Sequence, residues 1–269
     1  MTTSSVRAAA DLLAALRIRS GNDTKPLVTL PDAVRPADLD AAYAVQAAVA
    51  ERLTTTVLGA PCGWKIGCTT AIMQEYLNIQ HPCAGRLYSQ RIFADSAQLH
   101  AADYFQLGLE CELAVWLGDE LGAGGKPHSN EAVGQAITSA CVSIEIVEHR
   151  FADFTAAGTP SLVADDFFSV GCIYAQPMAI ASWDTLDALT GGFHVNGIAP
   201  EQTGAGSEIL GHPLTALSWL ADHAAAQGTV LRAGELITLG SVVKTIYPIP
   251  GDIIEARFGD APSARVVVT

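Results

Sequence analysis

Leu107-Gly-Leu-Glu-Cys-Glu-Leu-Ala-Val-Trp-Leu117 is an apolar run that nevertheless carries two acids one residue apart, Glu110 and Glu112. A strand turns successive side chains to opposite faces, so both carboxylates share one face while Leu109, Cys111 and Leu113 take the other. Two carboxylates about 4 Å apart repel by roughly 4 kcal/mol at an effective dielectric near 20. Either the pair faces water along an edge strand, or something compensates it, and a divalent metal ion is the simplest compensation. Cys111 then faces the core and has no chemical role.

Outward from this run, further ionisable groups sit in apolar company. Glu145 lies inside Ser143-Ile-Glu-Ile-Val147 and is read either as the buried partner of a cation such as Arg150 or as a third metal ligand. Glu148, followed by His149 and Arg150, reads as the exposed end of that strand. Three carboxylates without histidine or thiolate select a hard cation, Mg²⁺ or Mn²⁺, and leave positions open for water and substrate. Lys65, in Trp64-Lys-Ile-Gly67, is a snorkelling surface lysine or, beside such a site, a cation that brings it toward neutrality and holds an anionic substrate. Asp165 and Asp166 lie against Phe167 and Phe168; on a strand only one of the two enters a site, and a turn or cap role is the alternative. Lys244 follows the small-residue turn at Gly240 and Ser241, where backbone amides can meet a substrate carboxylate, or it is simply solvated. His81 and His212 both precede proline and read as loop residues.

The 269 residues are 49% hydrophobic and 16% charged, with a net charge of −13. Such a chain is globular, and its charge repels nucleic acid and anionic membrane, which leaves a small molecule or a protein as partner. The six cysteines form no C-x-x-C pair and suit reduced core thiols in the cytoplasm. Asp11 interrupts the apolar N-terminal stretch, so no signal peptide is expected, and no apolar run reaches the roughly 20 residues of a membrane span.

Residues 1–100 read as a helical part and 101–269 as a β-rich catalytic core, joined as one continuous unit. Helices are expected over Val6 to Leu16 and Pro36 to Leu53, linked by a polar connection from Gly21 to Pro31. A short strand at Gly63 to Gly67 precedes a short helix capped by Thr69 or Thr70 and ending at Leu77. A turn from Gln80 to Gly85 leads to a strand at Leu87 to Phe93. A helix from Asn130 to Ala140 runs into a strand at Cys141 to Val147, and a helix begins at Pro213 and stops at Gly228. Strands follow at Glu235 to Leu239, Ile253 to Phe258 and Arg265 to Val268, with a tight turn at Pro250-Gly-Asp252.

Taken together, Gly63-Trp-Lys-Ile-Gly67, Leu109-Glu-Cys-Glu-Leu-Ala-Val115, Ile144-Glu-Ile-Val147 and Gly206-Ser-Glu-Ile-Leu-Gly-His-Pro-Leu214 resemble the fumarylacetoacetate hydrolase superfamily, in particular its hydratase/decarboxylase branch. Leu217-Ser-Trp-Leu-Ala221, Leu239-Gly-Ser241 and Pro250-Gly-Asp252 extend the resemblance over most of the chain from residue 36. It implies an α+β fold, a mixed β-roll with a helical N-terminal part, assembled into homo-oligomers that can associate with a neighbouring pathway enzyme. It assigns the metal to Glu110, Glu112 and Glu145 and a substrate-contacting, catalytic role to Lys65, beside the candidates Asp165, Asp166, Ser241 and Lys244. Where family hydratases carry an Asp-Asn pair, this chain has Asp165-Asp166.

The expected activity is hydration of a 2-hydroxydienoate in aromatic meta-cleavage catabolism, through a 2-oxo acid whose C2 oxygen gathers negative charge. Lys65 and one of the two aspartates serve the proton transfers. The alternatives are decarboxylation of a 2-oxo diacid, with Lys244 or Arg150 receiving the second carboxylate, and carbon-carbon bond hydrolysis, for which His81 is the candidate base. A metal-binding partner subunit without activity is the non-enzyme alternative.

Overall fold

The computed structural model describes residues 1–19, 25–122, 127–180 and 182–269. Two helices open the chain. α1 (Thr3–Arg17) starts in a capping box between Thr2 and Ser5 and buries Ala9, Ala10, Leu13, Ala14 and Leu16, and α2 (Leu39–Leu53) packs against it. The second helix begins at Leu39 rather than at Pro36 because the Asp38 carboxylate accepts from Ala41 N, which makes Asp38 the cap. Residues 21–24 of the expected polar connection lie outside the described residues.

The elements that follow are β1 (Pro61–Gly67), α3 (Ala71–Tyr76), β2 (Cys83–Tyr88), β3 (Ile92–Ala94), β4 (Ser96–Leu99), β5 (Leu107–Leu117), α4 (Asn130–Gln135), β6 (Ile137–Glu148), α5 (Phe154–Ala157), α6 (Thr159–Ala164), β7 (Ser169–Tyr174), β8 (Thr190–Val195), β9 (Gly204–Ala205), α7 (Pro213–Ala226), β10 (Leu236–Ser241), β11 (Ile253–Phe258) and β12 (Ala264–Val268). A seven-stranded mixed sheet runs β2-β1-β10-β5-β6-β7-β3, and a five-stranded sheet runs β4-β12-β11-β8-β9. β11 and β12 lie against β6 and β7, so the two sheets enclose the main core as a mixed β-roll. Residues 1–100 supply four strands as well as helices, and three of them belong to the large sheet. No described helix is long and apolar enough to cross a membrane.

Three further boundaries depart from the sequence reading, each because pairing overrides local pattern. The helix read from Asn130 to Ala140 ends at Gln135, and residues from Ile137 onward join β6 to extend its ladder with β5 as far as Leu117. The turn read over Gln80 to Gly85 yields Cys83, Ala84 and Gly85 to β2, where they pair with Gly67, Ile66 and Lys65. The strand read from Leu87 to Phe93 is broken by a turn that Arg91 N closes on Tyr88 O, after which β3 pairs with β7 instead.

Register decides which side chains meet. Directly opposed residues of paired strands share a face. Lys65 opposes Thr238 across β1 and β10, Thr238 opposes Ala114 across β10 and β5, and Glu110 opposes Glu145 across β5 and β6. Glu110, Glu112, Glu145 and Lys65 therefore stand on one face of the large sheet. Leu109, Cys111, Leu113, Ile144 and Ile146 occupy the other face, in the core.

Candidate metal centre

Oxygen atoms of Glu110, Glu112 and Glu145 converge within 4.8 Å of one another. Glu112 and Glu145 are wholly buried and Glu110 is half-buried, so the cluster opens to solvent on the Glu110 side. Lys65, itself buried, places its Nζ 3.2 Å from one oxygen of Glu145 and donates a 3.4 Å bond to the other. Thr245 Oγ1 donates to Glu110 at 2.7 Å, and Gly240 N donates to Glu112 at 3.1 Å. That last donor exists because Gly240 adopts φ +121°, and because a Cβ there would stand 2.2 Å from Thr69 Oγ1; only glycine fits both demands.

These charges are incompletely balanced. Burial, then the neighbouring Glu145 and Glu110, push Glu112 well above the ordinary carboxylate range. Burial lifts Glu145 from 4.5 to about 7 against the pull of Lys65. Burial alone lowers the Lys65 ammonium, but Glu145, Glu110 and Glu112 outweigh it and hold it protonated. One oxygen each of Glu112 and Glu145 is buried without a hydrogen-bond partner among the described residues. Buried carboxylate oxygens that accept no hydrogen bond, converging and rich in negative charge, fit a hard divalent cation.

Because the folded Glu145 holds its proton more tightly than an unfolded glutamate, metal-free protein loses this contribution to stability as pH rises from about 4.5 to about 7. A divalent ion binds the ionised form and reverses the loss. Calorimetric melting in chelator and in excess Mg²⁺ from pH 5 to 8 is expected to show a gap that widens by several degrees with pH. A gap independent of pH would contradict this coupling.

Asp165 and Asp166 are placed elsewhere than a strand. Asp165 ends α6, and Asp166, Phe167 and Phe168 all take positive φ, at 54°, 47° and 72°. The carboxylate of Asp166 accepts from Arg17, from Arg86 N at 2.9 Å and from the Tyr88 hydroxyl at 2.9 Å. Asp165 accepts from Arg150 Nε at 2.6 Å. Both acids are buried. Their network fixes the left-handed bend that lays Phe167 over Lys65, 5.1 Å from Nζ to the ring centre, and a Cβ at Gly67 would collide with that ring at 2.5 Å.

Arg17→Leu is expected to cost about 3–5 kcal/mol, since Asp166 would remain buried without its cation; chemical denaturation measures it, and an unchanged midpoint would refute the clamp.

Other readings shift as well. Arg150 pairs with Asp165 and Glu148 rather than Glu145, and Glu148 is buried between Arg19 and Arg150 rather than exposed. Ser241 opposes Glu112 in register, but its hydroxyl donates to Val243 O at 2.7 Å. Lys244 is exposed and lines a separate cavity of about 440 Å³ with Phe193, Val195 and Glu201. His212 caps α7 by accepting from Leu214 N. His81 stacks with Trp219 at 6.4 Å and bonds no carboxylate among the described residues.

Sequence reasoning missed the groups beside Glu110. The Tyr247 hydroxyl and His149 Nε2 share a 3.2 Å hydrogen bond, and burial lowers His149 below its ordinary value. Their isolated positions in the chain carry no motif; only the fold assembles them.

A two-sheet roll presenting three converging carboxylates and a buried lysine defines a metal-site scaffold, and the chain belongs to the fumarylacetoacetate (FAA) hydrolase family, whose C-terminal model matches residues 88–269. Within it, the chain is 30% identical over 242 residues to 2-keto-4-pentenoate hydratase of Paraburkholderia xenovorans (strain LB400), covering 90% of this chain and 88% of that one. It is 32% identical over 196 residues to 2-hydroxyhexa-2,4-dienoate hydratase of Comamonas testosteroni, covering 71% of each. In fold it is similar to 4-oxalocrotonate decarboxylase from Pseudomonas putida G7 complexed with magnesium and adipate, with a TM-score of 0.88 at 24% identity over 100% of this chain and 99% of that one.

Proposed function

We propose that this chain is a metal-dependent hydratase that adds water to a 2-hydroxydienoate of the 2-oxopent-4-enoate type, forming a 4-hydroxy-2-oxo acid in aromatic catabolism. The observation that carries it is the convergence of Glu110, Glu112 and Glu145 within 4.8 Å, with Lys65 beside them, in a chain aligned with a 2-keto-4-pentenoate hydratase over 90% of its length. The three glutamates would hold Mg²⁺ or Mn²⁺, the hard ions that an all-carboxylate set selects. Bound there, such an ion would supply Lewis acidity to a 2-oxo acid substrate.

The chain's own residues supply the rest. Lys65 keeps its proton under the influence of three carboxylates, so it acts as a donor and positive charge toward substrate oxygen, not as a base. Asp165 and Asp166 serve by holding Phe167 against Lys65, which excludes water from its buried side and fixes the direction of the ammonium. Thr245 and Gly240 orient Glu110 and Glu112 by hydrogen bonds, as outer partners of metal ligands commonly do.

The test is incubation with Mg²⁺ or Mn²⁺ and 2-hydroxypenta-2,4-dienoate, following loss of dienol absorbance and identifying the product. Formation of 4-hydroxy-2-oxopentanoate, lost in chelator, is the expected result. Release of CO₂ from a 2-oxo diacid without hydration of the dienoate would make the protein a decarboxylase instead.

A further inference from the structure

A chain of aromatic rings leads from Lys65 to the open side of the carboxylate cluster. Phe167 lies over Lys65; Phe168 follows at 5.2 Å, His149 at 5.3 Å from Phe168, and Tyr247 at 5.6 Å from His149. Phe154 closes against both Phe168 and His149, at 5.5 and 5.3 Å. The far end of this wall stands beside Glu110: a Cβ at Gly108, two residues away on the same strand face, would lie 3.0 Å from Thr245 and 3.4 Å from the Tyr247 ring. Exposure increases along the wall, from the buried Phe167 to Tyr247, which is 48% exposed.

Among the described residues, none of the wall's own side chains is a lysine or an arginine. The nearby basic groups are already engaged: Lys65 with Glu145, Arg17 with Asp166, Arg19 with Glu148, and Arg150 with Asp165 and Glu148. Lys244 lines the separate cavity beside Phe193. A second carboxylate carried past Glu110 would meet like charge and aromatic carbon, and lose hydration without gaining a partner. A hydrocarbon tail in the same place gains apolar contact with Phe168 and Tyr247.

We infer that Phe168, His149 and Tyr247 set the specificity of this site for 2-oxo acids whose distal end is an uncharged hydrocarbon group, and that they discriminate against diacids. The inference rests on the reading of the glutamate cluster as a site for 2-oxo acids, and it names the residues that act on the distal end of the substrate.

Binding separates the two. Titration calorimetry in saturating Mg²⁺ compares 2-oxohexanoate with 2-oxoadipate, which differ only in a terminal methyl against a carboxylate. The monoacid is expected to bind the wild type at least about tenfold more tightly. Tyr247→Arg, at a half-exposed position, is expected to narrow or invert that ratio by supplying the missing cation, whereas Tyr247→Phe should preserve it. Equal or tighter binding of the diacid by the wild type, or an unchanged ratio in Tyr247→Arg, overturns the assignment. If the monoacid is preferred but no 2-hydroxydienoate is hydrated, the proposed reaction falls and the wall's role stands. If neither acid binds with Mg²⁺, both fall.

Discussion

Glu112→Gln is expected to abolish metal binding and lower turnover by about three orders of magnitude or more, while leaving the metal-free protein at least as stable as the wild type. Glu112 is wholly buried, its Oε1 has no hydrogen-bond partner among the described residues, and its Oε2 accepts from Gly240 N. In the absence of an ion it stands among two like charges and one lysine, and burial already drives its carboxyl toward the protonated form. Glutamine keeps the shape and the bond from Gly240 but removes the charge that repels Glu145 and Glu110. A loss of function accompanied by unchanged or higher melting temperature is the signature of a residue kept for its ligand and not for the fold. Metal-dependent turnover surviving in this variant would remove the metal reading of the cluster.

Lys65→Met is expected to act differently on three measurements. Turnover should fall by about 10²- to 10⁴-fold, because the variant lacks the buried donor directed at substrate oxygen. Affinity for Mg²⁺ should rise, because a cation 3.2 Å from Glu145 competes electrostatically with the ion. The metal-free protein should lose on the order of 3 kcal/mol or more, since three carboxylates then remain without compensation, and Mg²⁺ should restore most of it. Calorimetric metal titration and melting with and without Mg²⁺ separate these effects. Wild-type turnover in the variant would exclude Lys65 from the reaction.

The sequence made legible what depends on spacing within one strand. Glu110 and Glu112 share a face because the period of a strand is two, and Lys65 and Glu145 stood out because charge in an apolar run demands a partner. That Lys65 stands beside Glu145 was readable only on the condition of a carboxylate site there, since β10, from nearly the end of the chain, lies between β1 and β5. The same limit applies to Arg17 and Asp166, 149 residues apart, and to Glu148, read as exposed until Arg19 and Arg150 close over it. Asp165-Asp166 stayed open between a strand and a turn or cap for a local reason: three consecutive positive φ angles at non-glycine residues leave no mark in a pattern of side chains.

The position of β10 also bears on how the protein forms. β1 pairs with β10 in parallel across some 170 residues of chain, and β10 pairs in turn with β5, so the middle of the large sheet is closed by a strand synthesised late. A chain still lacking residues beyond 235 has the E-x-E strand and its Glu145 partner, but nothing to bring Lys65 alongside or to offer Gly240 N to Glu112. Such long-range closure carries a large loop entropy and belongs to slow, high contact-order folding. Insertion of β10 is therefore the step that brings Lys65 and the Gly240 amide to the carboxylates, and recovery of activity on refolding is expected to follow that slow phase.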